Sequence, residues 1–116
     1  MAYIDGFVIP VSPDRRQEFI DHANQMDKIF LEYGATRIVE CWGDDVPDGK
    51  VTDFKRAVQA ADGEQVAFSW IEWPDKATRD AGMKKIMDDP RSNAPMPFDG
   101  KRMIFGGFSP VVELTA

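Results

Sequence analysis

The order in which extended and helical patterns follow one another constrains this chain more than any single motif. Residues 2–11, AYIDGFVIPV, read as a strand closed by Ser12-Pro13. Serine favours the N-cap and proline the first helical position. Phe19, Ala23, Met26, Phe30 and Tyr33 then recur at steps of three and four, with Ile20 widening the stripe, which is the period of a helix buried along one side. Gly34 supplies a C-terminal stop, and residues 36–43, TRIVECWG, form the next strand. Turn formers fill residues 44–49. Residues 54–60, FKRAVQA, allow a short helix through Val51, Phe54 and Val58, but Asp62-Gly63 is a hairpin signal, so an extended arm pairing with residues 64–73, EQVAFSWIEW, is expected. Pro74 ends that strand, Asp75 caps a helix over residues 76–89, Pro90 stops it, and residues 102–112 make the last strand. Strand, helix, strand, arm, strand, helix, strand is the split βαβ plan of a ferredoxin-like α+β sandwich with an antiparallel sheet.

At 116 residues the chain is expected to be a single domain, residues 1–116, long enough to bury one core without disulfides. Its apolar runs are too short to span a bilayer. The N-terminal segment lacks the pattern of a signal peptide, and a lone cysteine forms no internal bridge, so a cytoplasmic protein is expected. The net charge of −6, with no basic stripe, argues against nucleic-acid binding, which draws its affinity from lysine and arginine on phosphates.

Sorting strand residues by parity, since alternate side chains take opposite faces, predicts one face of small and apolar residues under the helices: Ile4, Gly6, Val8, Val39, Cys41, Ala67, Ser69, Ile71, Ile104, Gly106 and Phe108. The other collects Tyr3, Asp5, Phe7, Ile9, Ile38, Glu40, Trp42, Phe68, Trp70, Glu72, Met103, Phe105 and Gly107. Two helices cover only one side of such a sheet, and an aromatic second side marks an interaction surface. A homodimer in which two such faces meet is the expected solution, enclosing a cavity for a small apolar or aromatic ligand.

On that face Asp5, Glu40 and Glu72 are the catalytic candidates, because carboxylates in an apolar setting have raised pKa values and act as general acids or bases. Trp42, Trp70, Phe7, Phe68 and Phe105 are the ligand-binding candidates. The bland alternative is that the acids pair with Arg37, Lys101 or Arg102 at a rim. Cys41 reads as an inert core thiol. His22, the only histidine, reads as a solvated helical residue, since one histidine alone is a weak metal ligand. The acids of residues 44–53 match no calcium loop, with Val46 and Lys55 at ligand positions, so that segment is a turn-rich connector. No metal and no cofactor are expected. Phe98, in the loop before the last strand, anchors either a lid or a plain connection. Gly106-Gly107 lacks the spacing of a phosphate loop.

Several blocks resemble the YbaA-like family of bacterial proteins of unknown function: Asp5-Gly6-Phe7-Val8, Arg37-Ile38-Val39-Glu40-Cys41-Trp42, Asp45 through Phe54, Phe68-Ser69-Trp70-Ile71-Glu72, and Met96 through Met103 with Gly106-Gly107-Phe108. The resemblance implies a dimeric α+β barrel, a superfamily of cofactor-free monooxygenases, haem-degrading enzymes, lactone isomerases and ligand-sensing domains. It brings no established catalytic residues. The expectation is a small-molecule-binding dimer, an oxygenase or isomerase working without a cofactor; the alternative is a non-catalytic binding or structural dimer.

Overall fold

In a computed structural model describing residues 2–116, a four-stranded sheet carries its two long helices on one side. Its strands are β1 (Tyr3–Val11), β2 (Arg37–Trp42), β3 (Gln65–Trp73) and β4 (Ile104–Phe108). The order across the sheet is β2-β3-β1-β4, and every neighbouring pair is antiparallel. The helices are α1 (Arg16–Glu32), a one-turn α2 (Phe54–Ala57) and α3 (Lys76–Asp88). This is the ferredoxin-like α+β plan expected from the order of elements.

Local sequence accounts for most boundaries. The Asp75 side chain accepts the Thr78 backbone N–H at 2.7 Å and starts α3. Gly34 follows α1 with φ of 116°, a left-handed conformation that favours glycine. The expected arm over residues 54–60 is instead α2, because Asp53 caps it by accepting from the Arg56 backbone N–H at 2.7 Å. The same carboxylate accepts from the Gly49 N–H at 3.1 Å, and Arg56 donates to the Gly49 carbonyl at 2.7 Å. The acidic segment before α2 is thus a folded connector.

Residues opposite each other in a sheet share a face, so the register corrects the parity reading. Asp5 faces Ile71, Phe7 faces Ser69 and Phe105, Glu40 faces Ser69, and Trp42 faces Ala67. Ile71, Trp73, Ile9, Val11 and Ala67 are the buried core under α1 and α3. Asp5, Phe7, Ile9, Ile38, Glu40 and Trp42 therefore lie on the helix-covered side, not on the open one. Phe68, Trp70 and Glu72 do face away from the helices, but they are joined there by Ile4, Val8, Ile104 and Phe108. Parity misassigned β1, β2 and β4 because both faces of this sheet are apolar and alternation alone cannot tell them apart. Cys41, opposite Phe68, is likewise on the open side and half-buried.

Asp5 settles which side of β1 is inside. It is 3% exposed. Its carboxylate accepts from Trp73 Nε1 at 2.9 Å, Arg79 Nε at 3.1 Å and Arg79 Nη2 at 2.8 Å. The guanidinium of Arg79 in turn lies 5.2 Å from the centre of the Tyr3 ring, and the bonds to Asp5 raise its pKa further. Trp73 is fully buried, and Gly82 of α3 packs against it so closely that a Cβ would stand 2.7 Å from the indole. Beyond the ends of α1 and α3, Arg91 pairs with Glu32 at 2.6 Å and with Asp89 at 2.9 Å, while Tyr33 Oη donates to Asp89 at 2.8 Å.

Removing one partner of a buried, hydrogen-bonded ion pair costs about 3–5 kcal/mol. Asp5→Ala is therefore expected to lower the unfolding free energy in urea by that amount, with Arg79→Ala close behind. A loss below about 1 kcal/mol would return Asp5 to the list of free, reactive acids.

Candidate functional site

The acids expected to act together are not together. Asp5 is consumed by Trp73 and Arg79. Glu72 lies on the open face, where it accepts from Trp70 Nε1 at 2.8 Å and pairs with Arg37 at 3.2 Å. The expected pairing with Arg37 is thus present for Glu72. Arg102 instead joins Glu64 at 2.6 Å and Asp99 at 3.0 Å. Of the three candidate acids, Glu40 alone has no cation within ion-pairing distance among the described residues.

Glu40 has a different neighbour, which the sequence reading passed over. Asp27 projects from α1 toward β2, and the two carboxyl groups share a hydrogen bond. Burial first, and then the Glu40 charge and hydrogen bond, push the Asp27 pKa up to about 8. Two carboxylates so placed cannot both ionise cheaply, and one retains a proton at neutral pH. His22, five residues earlier on α1, is held below its ordinary value by burial, with Glu40 opposing the shift. It is half-buried with its ring edge-on to Phe98, not solvated as expected.

The pair stands at a boundary. Inward lies a cavity of about 170 Å³ between α1 and the sheet, walled by Phe7, Phe19, Met26, Phe30, Phe98 and Met103. Ser69, 2% exposed, also lines it, and its Oγ has no hydrogen-bond partner. Outward lies a groove of about 550 Å³ along α1 and the β2 edge, with Arg16, Asn24, Lys28 and Trp42 on its walls. Phe19, Ala23, Asp27 and Glu40 line both spaces. Phe98 closes the cavity by packing on Phe19 at 6.1 Å between ring centres, and its loop is pinned by Arg102.

Of the ligand-binding candidates, Phe7 lines the inner cavity and Trp42 the outer groove. Phe68 and Trp70 lie on the open face, in a shallow apolar depression with Ile4, Val8, Ile104 and Phe108. Phe105 stacks on Phe7 at 6.4 Å but is 72% exposed at the sheet edge. The available signal for Asp27 was its position four residues after Ala23, inside the apolar stripe of α1.

The raised pKa makes stability depend on pH with a definite sign. Near pH 3 Asp27 is protonated in both folded and unfolded chains and costs nothing. Above its ordinary value of 3.8 the unfolded chain loses the proton, whereas the folded chain keeps it to about pH 8. Stability therefore falls across that window and levels off above it. Asp27→Asn is expected to match the native protein at pH 4 and to exceed it by about 1–2 kcal/mol at pH 8, a figure reduced for the partial solvent exposure of the site. Urea unfolding at both pH values checks this; an equal difference at the two would contradict it.

Comparison with known proteins agrees with this architecture. The solved structure of a dimeric ferredoxin-like protein from an uncultured marine organism superposes with a TM-score of 0.64 at 10% identity, covering 97% of this chain and 98% of that one. An uncharacterised NIPSNAP domain protein from Burkholderia xenovorans gives a TM-score of 0.58 at 16% identity, covering 98% and 99%. At these identities the likeness concerns the fold alone. The uncharacterised protein YbaA of Escherichia coli K12 is 53% identical over 116 residues, 97% of this chain and 99% of its own length. The model of a family described as protein of unknown function (DUF1428) matches residues 2–100. With that match and that relative, the chain belongs to the DUF1428 family, together with YbaA.

Proposed function

We propose that the protein binds a small organic molecule in the cavity between α1 and the sheet and moves a proton on it, as an isomerase does. The observation that carries this reading is the Asp27–Glu40 pair, which holds one proton at neutral pH against an apolar cavity. Such a pair offers a base and an acid at one place: the Glu40 carboxylate removes a proton from a carbon beside a carbonyl, and the Asp27 carboxyl delivers one at another position. The unpartnered Ser69 Oγ supplies a hydrogen bond to a polar atom of the ligand. A cavity of about 150 Å³ with apolar walls accepts a molecule the size of benzene, so a five- or six-membered unsaturated ketone or lactone fits the space. No step requires a cofactor.

A second reading concerns assembly. Phe68 and Ile104 are each 44% exposed and Phe108 is 61% exposed on the sheet face opposite the helices. With Ile4, Val8 and Trp70 they make a continuous apolar surface. A homodimer through this face supports its burial, as large exposed apolar patches mark interfaces. This is the expected dimer with a corrected membership: Trp70 and Phe68 belong to the contact, Trp42 and Asp5 do not.

The catalytic reading is tested by incubating the protein in D2O with a panel of β,γ-unsaturated cyclic ketones and lactones and following the conjugated, deuterated product by NMR. Conversion faster than in buffer is expected, falling at least 100-fold in Glu40→Gln and Asp27→Asn, the usual effect of losing an acid–base group. No acceleration across the panel, or full activity in both variants, counts against it. For assembly, sedimentation at micromolar concentration is expected to give a dimer, and Phe68→Lys with Ile104→Lys a folded monomer. A native monomer there would remove the second reading and leave the first standing.

A further inference from the structure

The outer groove holds a cation that no acid claims. Arg15, Arg37, Arg56, Arg79, Arg91 and Arg102 each lie within ion-pairing distance of a carboxylate. Arg16 is the one arginine of the chain that forms no such pair among the described residues. It begins α1, and its guanidinium carbon lies 5.7 Å from the centre of the Trp42 ring. In an acidic protein of net charge −6, a guanidinium left without an acid while six others are paired stands out as a group reserved for an external anion.

Its position relative to the carboxyl pair follows from strand geometry. Trp42 and Glu40 are two residues apart on β2 and share a face, which sets their side chains about 7 Å from one another. Arg16 over Trp42 and the proton held by Asp27 and Glu40 are thus neighbouring stations in one groove. Guanidinium presents a planar fork of donors that matches a carboxylate in two parallel hydrogen bonds, and indole offers a flat apolar surface beside it. A single guanidinium balances the single charge of a carboxylate. A doubly charged phosphate would leave net negative charge close to Glu40.

We propose that the substrate of this site is a compact planar carboxylate, its carboxylate group held by Arg16 above Trp42 and its far end, about 7 Å away, presented to the Asp27–Glu40 pair. The inference rests on the reading of that pair as a small-molecule site, and it adds the recognition element. Arg16 is here a residue that sets substrate specificity. Lys28, on the same groove wall, adds positive potential.

The competing account is that Arg16 only covers Trp42 with its aliphatic stem. Matched acids and amides separate the two. Benzoate with benzamide, and trans-cinnamate with cinnamamide, would be titrated into the isotope-labelled protein while the Trp42 indole N–H signal is followed. The native protein is expected to bind each acid at least tenfold tighter than its amide. Arg16→Gln is expected to abolish that preference while leaving the melting temperature and amide binding in place, and Arg16→Lys to retain part of it. Equal binding of acid and amide by the native protein, or a preference that survives Arg16→Gln, overturns the proposal. Binding of the amides that depends on Asp27 but shows no preference for the acids overturns the proposal alone. Failure of all four probes to bind overturns both the proposal and the cavity reading beneath it.

Discussion

A carboxylate held under the helices by Trp73 and Arg79 decides how this sheet is oriented. Burying an ionised acid is costly unless it is paired and hydrogen-bonded, and Asp5 has three donors for its two oxygens. With Asp5 turned inward, Tyr3, Phe7 and Ile9 must also face the helices, because the side-chain period of a strand is two. The register then carries this choice across the sheet. Ser69 lies opposite Phe7, and Glu40 lies opposite Ser69. A slip of one residue would send all of them to the other face. Glu40 meets Asp27 of α1 only because Asp5 meets Arg79 of α3.

The two acid sites use the same physics to opposite ends. At Asp5 a guanidinium and an indole N–H satisfy the charge, and the result is a rigid joint between β1, β3 and α3. At Asp27 burial comes with another acid instead of a cation, so the charge is suppressed and a proton is retained. What differs is the sign of the neighbour. That contrast separates an acid that holds the fold together from one able to exchange a proton with a ligand. The apolar walls of the inner cavity and the polar walls of the outer groove meet at the second site, so a molecule there would have its apolar body and its charged group on different sides of the reacting atoms.

Much of the fold was legible in short-range signals. Pro13 opened a 3-10 turn, residues 13–15, that leads into α1, the Asp75 cap opened α3, Gly34 closed α1, and the helical stripe of Phe19, Ala23, Met26 and Phe30 named the buried side of α1. The misreadings arose where a choice depends on residues far apart in the chain. Asp53 converts residues 54–57 into a helix by a capping bond that outweighs the hairpin signal of Asp62-Gly63. Alternation in β1 offered Ile4 and Val8 against Phe7 and Ile9, two equally apolar sets, and Asp5 seemed to mark the outer one. Its cation lies 74 residues away, on α3. The partner of Asp27 was hidden for the same reason, although its place in the apolar stripe of α1 was in view. An acid on a helix is ordinarily solvated, and only the return of β2 beneath α1 places Glu40 beside it. Glu40 itself was legible as a candidate, but its partners were not Asp5 and Glu72.

The account stands on one proton shared between two side chains. Carbon-13 NMR of the side-chain carboxyls, followed from pH 3 to pH 10, reports the titration of each acid separately. The Asp27 resonance should show its main step near pH 8, and that step should move down in Glu40→Gln as the neighbouring charge and hydrogen bond are removed. An Asp27 step near pH 4 in the native protein, unmoved by that substitution, would mean two independent ionised acids and no stored proton at the site.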